Sequence, residues 1–137
     1  MGLPPWEEIE HTADVGLRVR GATLAELFAN AARGMLDLAV GDEMTVQGQE
    51  CVAIQLQAPD IETLLVDWLT ELLYLMEDGS FIPSGVEVVE VEANALRAEV
   101  TGGAGADLHK HIKAVTYHDL SIEKTAGGYQ ATVVFDV

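Results

Sequence analysis

Residues 60–78, DIETLLVDWLTELLYLMED, decide the fold. Ile61, Leu64, Leu65, Trp68, Leu69, Leu72, Leu73 and Met76 recur at the three- and four-residue steps of an α-helix. The polar residues Asp60, Thr63, Asp67, Thr70, Glu71 and Glu77 are confined to a thin stripe. Val66 and Leu75 widen the apolar face beyond the arc usual for a surface helix, which predicts burial on most sides. Asp60 after Pro59 is a good N-cap, Glu62 sits well in the first turn, and Gly79 stops the run. About 18 helical residues make a rod of roughly 27 Å, enough to cross a small domain. Acids interrupt it at every turn, which argues against a membrane span.

Upstream of this helix, Glu50–Gln57 reads as a strand in which Val52, Ile54 and Leu56 face one way. Before that comes a polar connection, Gly41–Gln49. A second helix runs from the capping box Thr23-Leu24-Ala25-Glu26 to about Leu38, with Leu24, Leu27, Phe28, Ala31, Ala32, Met35 and Leu36 on one face. Trp6–Glu10 is a short strand with Trp6 as its core anchor. Val15, Leu17 and Val19 alternate with Gly16, Arg18 and Arg20 as a half-buried strand that Gly21 ends.

Downstream, Gly79–Gly85 reads as a loop with Phe81 and Ile82 tucked against the core. Val86–Glu92 and Ala95–Thr101 alternate as a hairpin turned at Asn94. Gly102–Asp107 is expected to be flexible. Ile112–His118 and Leu120–Lys124 read as strand, Ala126-Gly127-Gly128 as a hairpin turn, and Tyr129–Val137 as the closing strand. The order β-β-α-β-α followed by four or five antiparallel strands defines an α+β class. The expectation is a single domain, residues 1–137, with two helices packed on a largely antiparallel sheet.

Seven basic against 23 acidic residues give a net charge of −16. Phosphate backbones and anionic lipid repel such a chain, so neither direct nucleic-acid binding nor membrane attachment is expected. A basic protein partner or a metal cation suits the charge better, and a solvated surface alone would account for it too. The single cysteine, Cys51, excludes an internal disulfide and fits a reducing compartment. At the head of an apolar strand it reads as a small buried hydrophobe. The opening MGLPPWEEIE lacks a basic segment followed by an apolar one, so no signal peptide is expected and the protein is read as cytoplasmic.

Gly102-Gly103-Ala104-Gly105 is no phosphate cradle, because neither a GK[ST] nor a clear helix follows. His109, His111 and His118 beside Asp119 are zinc-ligand types, although histidines in polar loops are usually solvated. The corner His11-Thr12-Ala13-Asp14-Val15-Gly16 is more pointed. Asp14 there can bond its own backbone as an Asx-turn. A second acid, Asp136, lies one residue from Val137 at the chain end. If the first and last strands are close, Asp14, Asp136 and the terminal carboxylate share one site. Paired carboxylates repel unless a cation or a proton sits between them, and hard oxygen ligands select Ca²⁺ or Mg²⁺.

These residues carry a resemblance to the archease family. It rests on HTADVGL at 11–17, TLAELFANAARGM at 23–35, LLVDWLTELLYL at 64–75, KAVTYHDLSI at 113–122 and VVFDV at 133–137. The chain departs at Asp119, where the family often has glycine, and in a small, glycine-rich 102–107 loop. The resemblance implies a protein cofactor, not an enzyme. Archeases assist the GTP-dependent tRNA-splicing RNA ligase of the RtcB type. They promote its guanylylation, restore multiple turnover and broaden the nucleotides it accepts. It also implies a divalent cation, calcium with magnesium as the alternative, held by Asp14 and Asp136, with an oxygen from Val137 if that is the natural terminus. Lys113 is implied in activation or partner contact, and His11 lies in the same motif as Asp14. Two other classes stand beside this one. A small metal-dependent hydrolase would use Asp14, His11 and Asp136, and a chaperone-like module would use its acidic face alone.

Overall fold

The computed structural model describes residues 3–11, 14–40, 47–77, 81–92, 94–104, 112–117 and 120–137. The decisive stretch forms α2 (Ile61–Met76). The Asp60 carboxylate accepts from the Thr63 amide at 2.7 Å, as an N-cap should. Leu64, Leu65, Trp68, Leu69 and Leu72 are fully buried, while Tyr74 stands out to solvent. Helix α1 (Leu24–Val40) is buried nearly all round through Leu27, Phe28, Ala31, Ala32 and Met35. The Glu26 amide donates to Thr23 Oγ1 at 3.1 Å, and the Glu26 carboxylate returns to the Ala22 amide at 3.2 Å, one residue before the amide a capping box would use. Deep in the core the Trp68 indole N–H donates to the Phe28 carbonyl at 3.0 Å and locks the two helices together.

The strands divide between two antiparallel sheets, where the sequence suggested one. In the five-stranded sheet, β1 (Trp6–His11), β2 (Asp14–Gly21), β8 (Gly128–Asp136) and β6 (Ala114–Thr116) lie side by side, and β7 (Glu123–Thr125) also pairs with β8. The second sheet places β5 (Ala95–Ala104) between β3 (Gln47–Gln57) and β4 (Ile82–Glu92). Helix α1 packs on β2 and also on β4, so the helices close one hydrophobic core with both sheets. Asn30 and Arg33 span it. Asn30 Nδ2 donates to the Arg20 carbonyl of β2 at 2.8 Å, and Arg33 donates both to Asn30 and to the Val86 carbonyl of β4.

Several local readings differ from the sequence. Phe81 and Ile82 are buried as expected, but Ile82–Gly85 already belongs to β4. Gly102–Ala104 is strand, not flexible loop, because Pro83 and Ile82 pair with Gly102 and Gly103. A Cβ on Gly102 would overlap the Ile82 carbonyl oxygen, so glycine is what lets the backbones approach. Gly102→Ala is therefore expected to cost about 1–3 kcal/mol, readable as a lower urea midpoint. Cys51 is exposed, not buried, since it falls on the face of β3 opposite Val52 and Ile54. The turn at 126–127 is present and Gly128 has φ +144°, a value that favours glycine. Only Ala114–Thr116 and Glu123–Thr125 of the two strands expected at 112–124 form ladders. Gly79, the 105–107 part of the glycine-rich loop, His109, His111, His118 and Asp119 lie outside the described residues.

The Asp60 cap has a pH consequence. Hydrogen bonds from the Thr63 backbone and side chain hold the Asp60 carboxyl below its ordinary value of 3.8. A depressed folded-state pKa adds stability that is present above the ordinary value and lost as pH falls through the lowered one. Asp60→Asn keeps the capping oxygen without the titration. It should remove that part of the acid dependence, measured by urea unfolding above and below the carboxylate range.

Candidate functional site

Sheet register brings the two ends of the chain together. Strands β2 and β8 pair antiparallel, with Val15 opposite Phe135 and Gly16 opposite Val134. One further step along each strand puts Asp14, the first residue of β2, at the position facing Asp136, the last of β8. On the β1 side His11 pairs with Asp14, and on the β6 side Ala114 pairs with Asp136. The row His11, Asp14, Asp136, Ala114 thus crosses four strands at one end of the sheet.

Apolar alternation sets up this row. Leu17 and Val19 of β2, Ala131, Val133 and Phe135 of β8 and Val115 of β6 all point into the core. By the two-residue period, Asp14 and Asp136 belong to positions on the opposite face. There Arg18 and Arg20 reach back to Glu7 on β1, at 3.4 and 2.9 Å. The hydrogen bond from Arg20 holds the Glu7 carboxyl below the usual range, its partial desolvation opposing. These two arginines balance a local acid.

Asp136 and Val137 are exposed, and Val137 is the last residue. The Lys113 amide donates to the Asp136 carbonyl at 2.7 Å, which fixes the backbone of the penultimate residue. The Lys113 side chain is exposed and has no salt bridge among the described residues. Arg18, Arg20 and Arg97 all pair with carboxylates. The row therefore holds two acidic positions, and the Lys113 backbone lies beside one of them. Cys51 lies on the other sheet, so no thiolate joins them. Such a donor set fits a hard cation of the Ca²⁺ or Mg²⁺ kind and not a thiophilic metal. Among the described residues no three His, Cys, Asp or Glu side chains converge on one point. The side chains of His11 and Asp14 fall outside that set.

Two features outside this row were not anticipated. The Glu62 carboxylate, read only as a first-turn acid, accepts the Ile122 amide at 3.1 Å and ties the segment after β6 to α2. Tyr74 and Tyr117 are exposed on a groove between α2 and β6. For Tyr74 the signal was present, because it sits at helical spacing in the stripe of Asp67, Thr70 and Glu77.

Comparison with known proteins agrees with the fold. The sequence model of the Archease protein family (MTH1598/TM1083) matches residues 6–137. Protein archease of Methanosarcina mazei is 38% identical over 140 residues, spanning 96% of this chain and 95% of that protein. The crystal structure of an archease, possible chaperone, from Thermotoga maritima superposes with a TM-score of 0.69 at 27% identity, covering 100% of this chain and 98% of that one. The solution structure of Methanobacterium thermoautotrophicum protein 1598 also gives 0.69, at 26% identity, covering 97% and 99%. The chain belongs to the archease family. No helix among the described residues is long and apolar enough to cross a membrane.

Proposed function

We propose that this protein is a non-enzymatic activator of a GTP-dependent tRNA-splicing RNA ligase of the RtcB type, acting in the cytoplasm. The observation that supports this reading is that the β2–β8 ladder ends at Val15 and Phe135, so that Asp14 and Asp136 are the next residues of neighbouring strands at one sheet end, where family membership implies a cation site. Asp14 and Asp136, with a backbone oxygen of Val137, would hold a divalent cation, calcium or magnesium. When bound, it brings positive charge to bear on phosphate oxygens. The rest is positioning. The ladder between β2 and β8 sets the two backbone positions next to each other, and the Lys113 amide donates to the Asp136 carbonyl just before β6 begins. Nucleotidyl transfer depends on alignment and charge compensation, so a small rigid acidic tip docked beside the ligase nucleotide can act without reacting itself. The Lys113 ammonium can meet a phosphate or a ligase carboxylate at the same edge, and His11 flanks Asp14 on the other side.

The test is ligase guanylylation and multiple turnover, measured with GTP and with other nucleoside triphosphates, with and without this chain. The reading requires faster guanylylation and repeated turnover in its presence. Unchanged ligase kinetics at saturating protein would remove it. A chaperone-like role is the second reading, favoured by the net charge of −16 and by the possible-chaperone description of the Thermotoga relative. It requires protection of several unrelated basic clients from aggregation, undiminished by Asp14→Ala.

A further inference from the structure

We propose that the groove between α2 and β6 docks a lysine- or arginine-bearing segment of a protein partner, which seats one apolar side chain between Tyr74 and Tyr117. This rests on the activator reading and assigns that partner a binding surface. The groove encloses about 550 Å³, with Leu73, Met76, Ile112 and Val115 among its lining. Tyr74 is 73% exposed and Tyr117 56%, an unusual outlay of aromatic surface on one groove. Tyrosine offers a large, rigid contact area with a polar tip, which is why it anchors protein interfaces. The energetic reason to expose two of them beside an apolar floor is a partner that covers both.

Charge selects the occupant. Asp67 and Glu77 stand on the α2 side of the groove, and Lys113, just before β6, is the one lysine or arginine among its described lining residues. The chain as a whole carries −16 and steers basic surfaces inward. A second copy would set the same acids against each other across a two-fold contact, and nucleic acid would meet repulsion. Location agrees, because Lys113 and Ala114 line the groove while Ala114 pairs with Asp136. A segment seated here would hold its protein beside the acidic sheet end.

The experiment titrates the ligase with wild type, with Tyr74→Ser/Tyr117→Ser, with Asp67→Lys/Glu77→Lys and with Asp136→Ala. It reads direct binding by calorimetry and guanylylation at each concentration, with melting curves as the check on folding. Both groove variants should bind at least about tenfold more weakly, yet reach the wild-type plateau when enough is added. The charge variant should also flatten the salt dependence of binding. Asp136→Ala should bind normally and lower the plateau. Groove variants whose binding matches wild type overturn the proposal. So does a wild-type dimer that Tyr74→Ser/Tyr117→Ser dissolves, which would make a second copy the occupant. If wild type binds the ligase without stimulating it, the activator reading fails and the binding arm still decides the groove. No binding by wild type defeats both.

Discussion

With Asp136 replaced by alanine, the protein is expected to fold as before and to lose its stimulation of ligase guanylylation. The rate should fall to that of the ligase alone. Folding should survive because Asp136 is exposed and its main-chain oxygen, not its carboxylate, accepts the Lys113 amide. Alanine keeps that bond. The functional loss follows from charge. In the proposed site Asp136 would supply one of the anionic ligands, and affinity for a hard cation depends on how many charged oxygens surround it. Asp14→Ala should behave alike, since it removes the other half of the same pair. The double variant should be no worse than either single one, because groups acting as one unit are not additive. Calcium should bind the isolated wild-type protein, read by calorimetry, and bind Asp136→Ala much more weakly. Undiminished stimulation by Asp136→Ala, with normal melting, would refute the site proposed at the sheet end.

Periodicity made the helices legible because burial enforces it. Leu64, Leu65, Trp68, Leu69 and Leu72 recur at helical steps since they fill one core, and Leu27, Phe28, Ala31, Ala32 and Met35 do the same on α1. Strand alternation was equally readable in Leu17/Val19 and Leu96/Ala98/Val100. The partition of strands between two sheets was not, because alternation states which side is buried and not which neighbour is paired. Glycines were ambiguous for a related reason. At Gly102 a missing side chain means close approach by Ile82, whereas by sequence alone it also suits a flexible turn. Cys51 was misplaced because its strand is apolar on one face only, and position 51 falls on the other.

At the candidate site the residue types were readable and their adjacency was not. Asp14 and Asp136 are 122 positions apart in the 137-residue chain, and only the β2–β8 ladder brings their positions together. Nothing local to either residue encodes that pairing. The exposed tyrosines were hidden differently. A tyrosine within an apolar run reads as core until the helical phase is followed to the acids around it. Lys113 sits between these two regions, and its backbone bond to Asp136 gives it a defined place that spacing could not supply.

Trp68→Ala should lower stability by about 3–5 kcal/mol, the largest single-residue cost expected in this chain. Trp68 is completely buried, and its indole N–H is satisfied by the Phe28 carbonyl of α1 at 3.0 Å. Alanine removes the packing of a large ring and leaves a cavity that two helices, held between sheets, can close only partly. Against a total stability of about 5–15 kcal/mol, the loss takes much of the reserve. Urea unfolding should show a large fall in midpoint with a similar slope, which reports stability rather than a changed unfolded state. Trp68→Phe should fall between, since it keeps most of the ring volume and loses the hydrogen bond. Phe28 lies in the middle of α1 and its carbonyl can still serve the helix ladder, so the phenylalanine variant leaves no stranded acceptor. A cost below about 1 kcal/mol for alanine would mean that α1 and α2 settle onto each other freely, against the close packing assigned to the core. The two substitutions also separate fold from function. Trp68 is buried against α1 and takes no part in the β2–β8 ladder, so whatever fraction of Trp68→Ala remains folded in the cold should stimulate the ligase with wild-type specific activity, whereas fully folded Asp136→Ala should not.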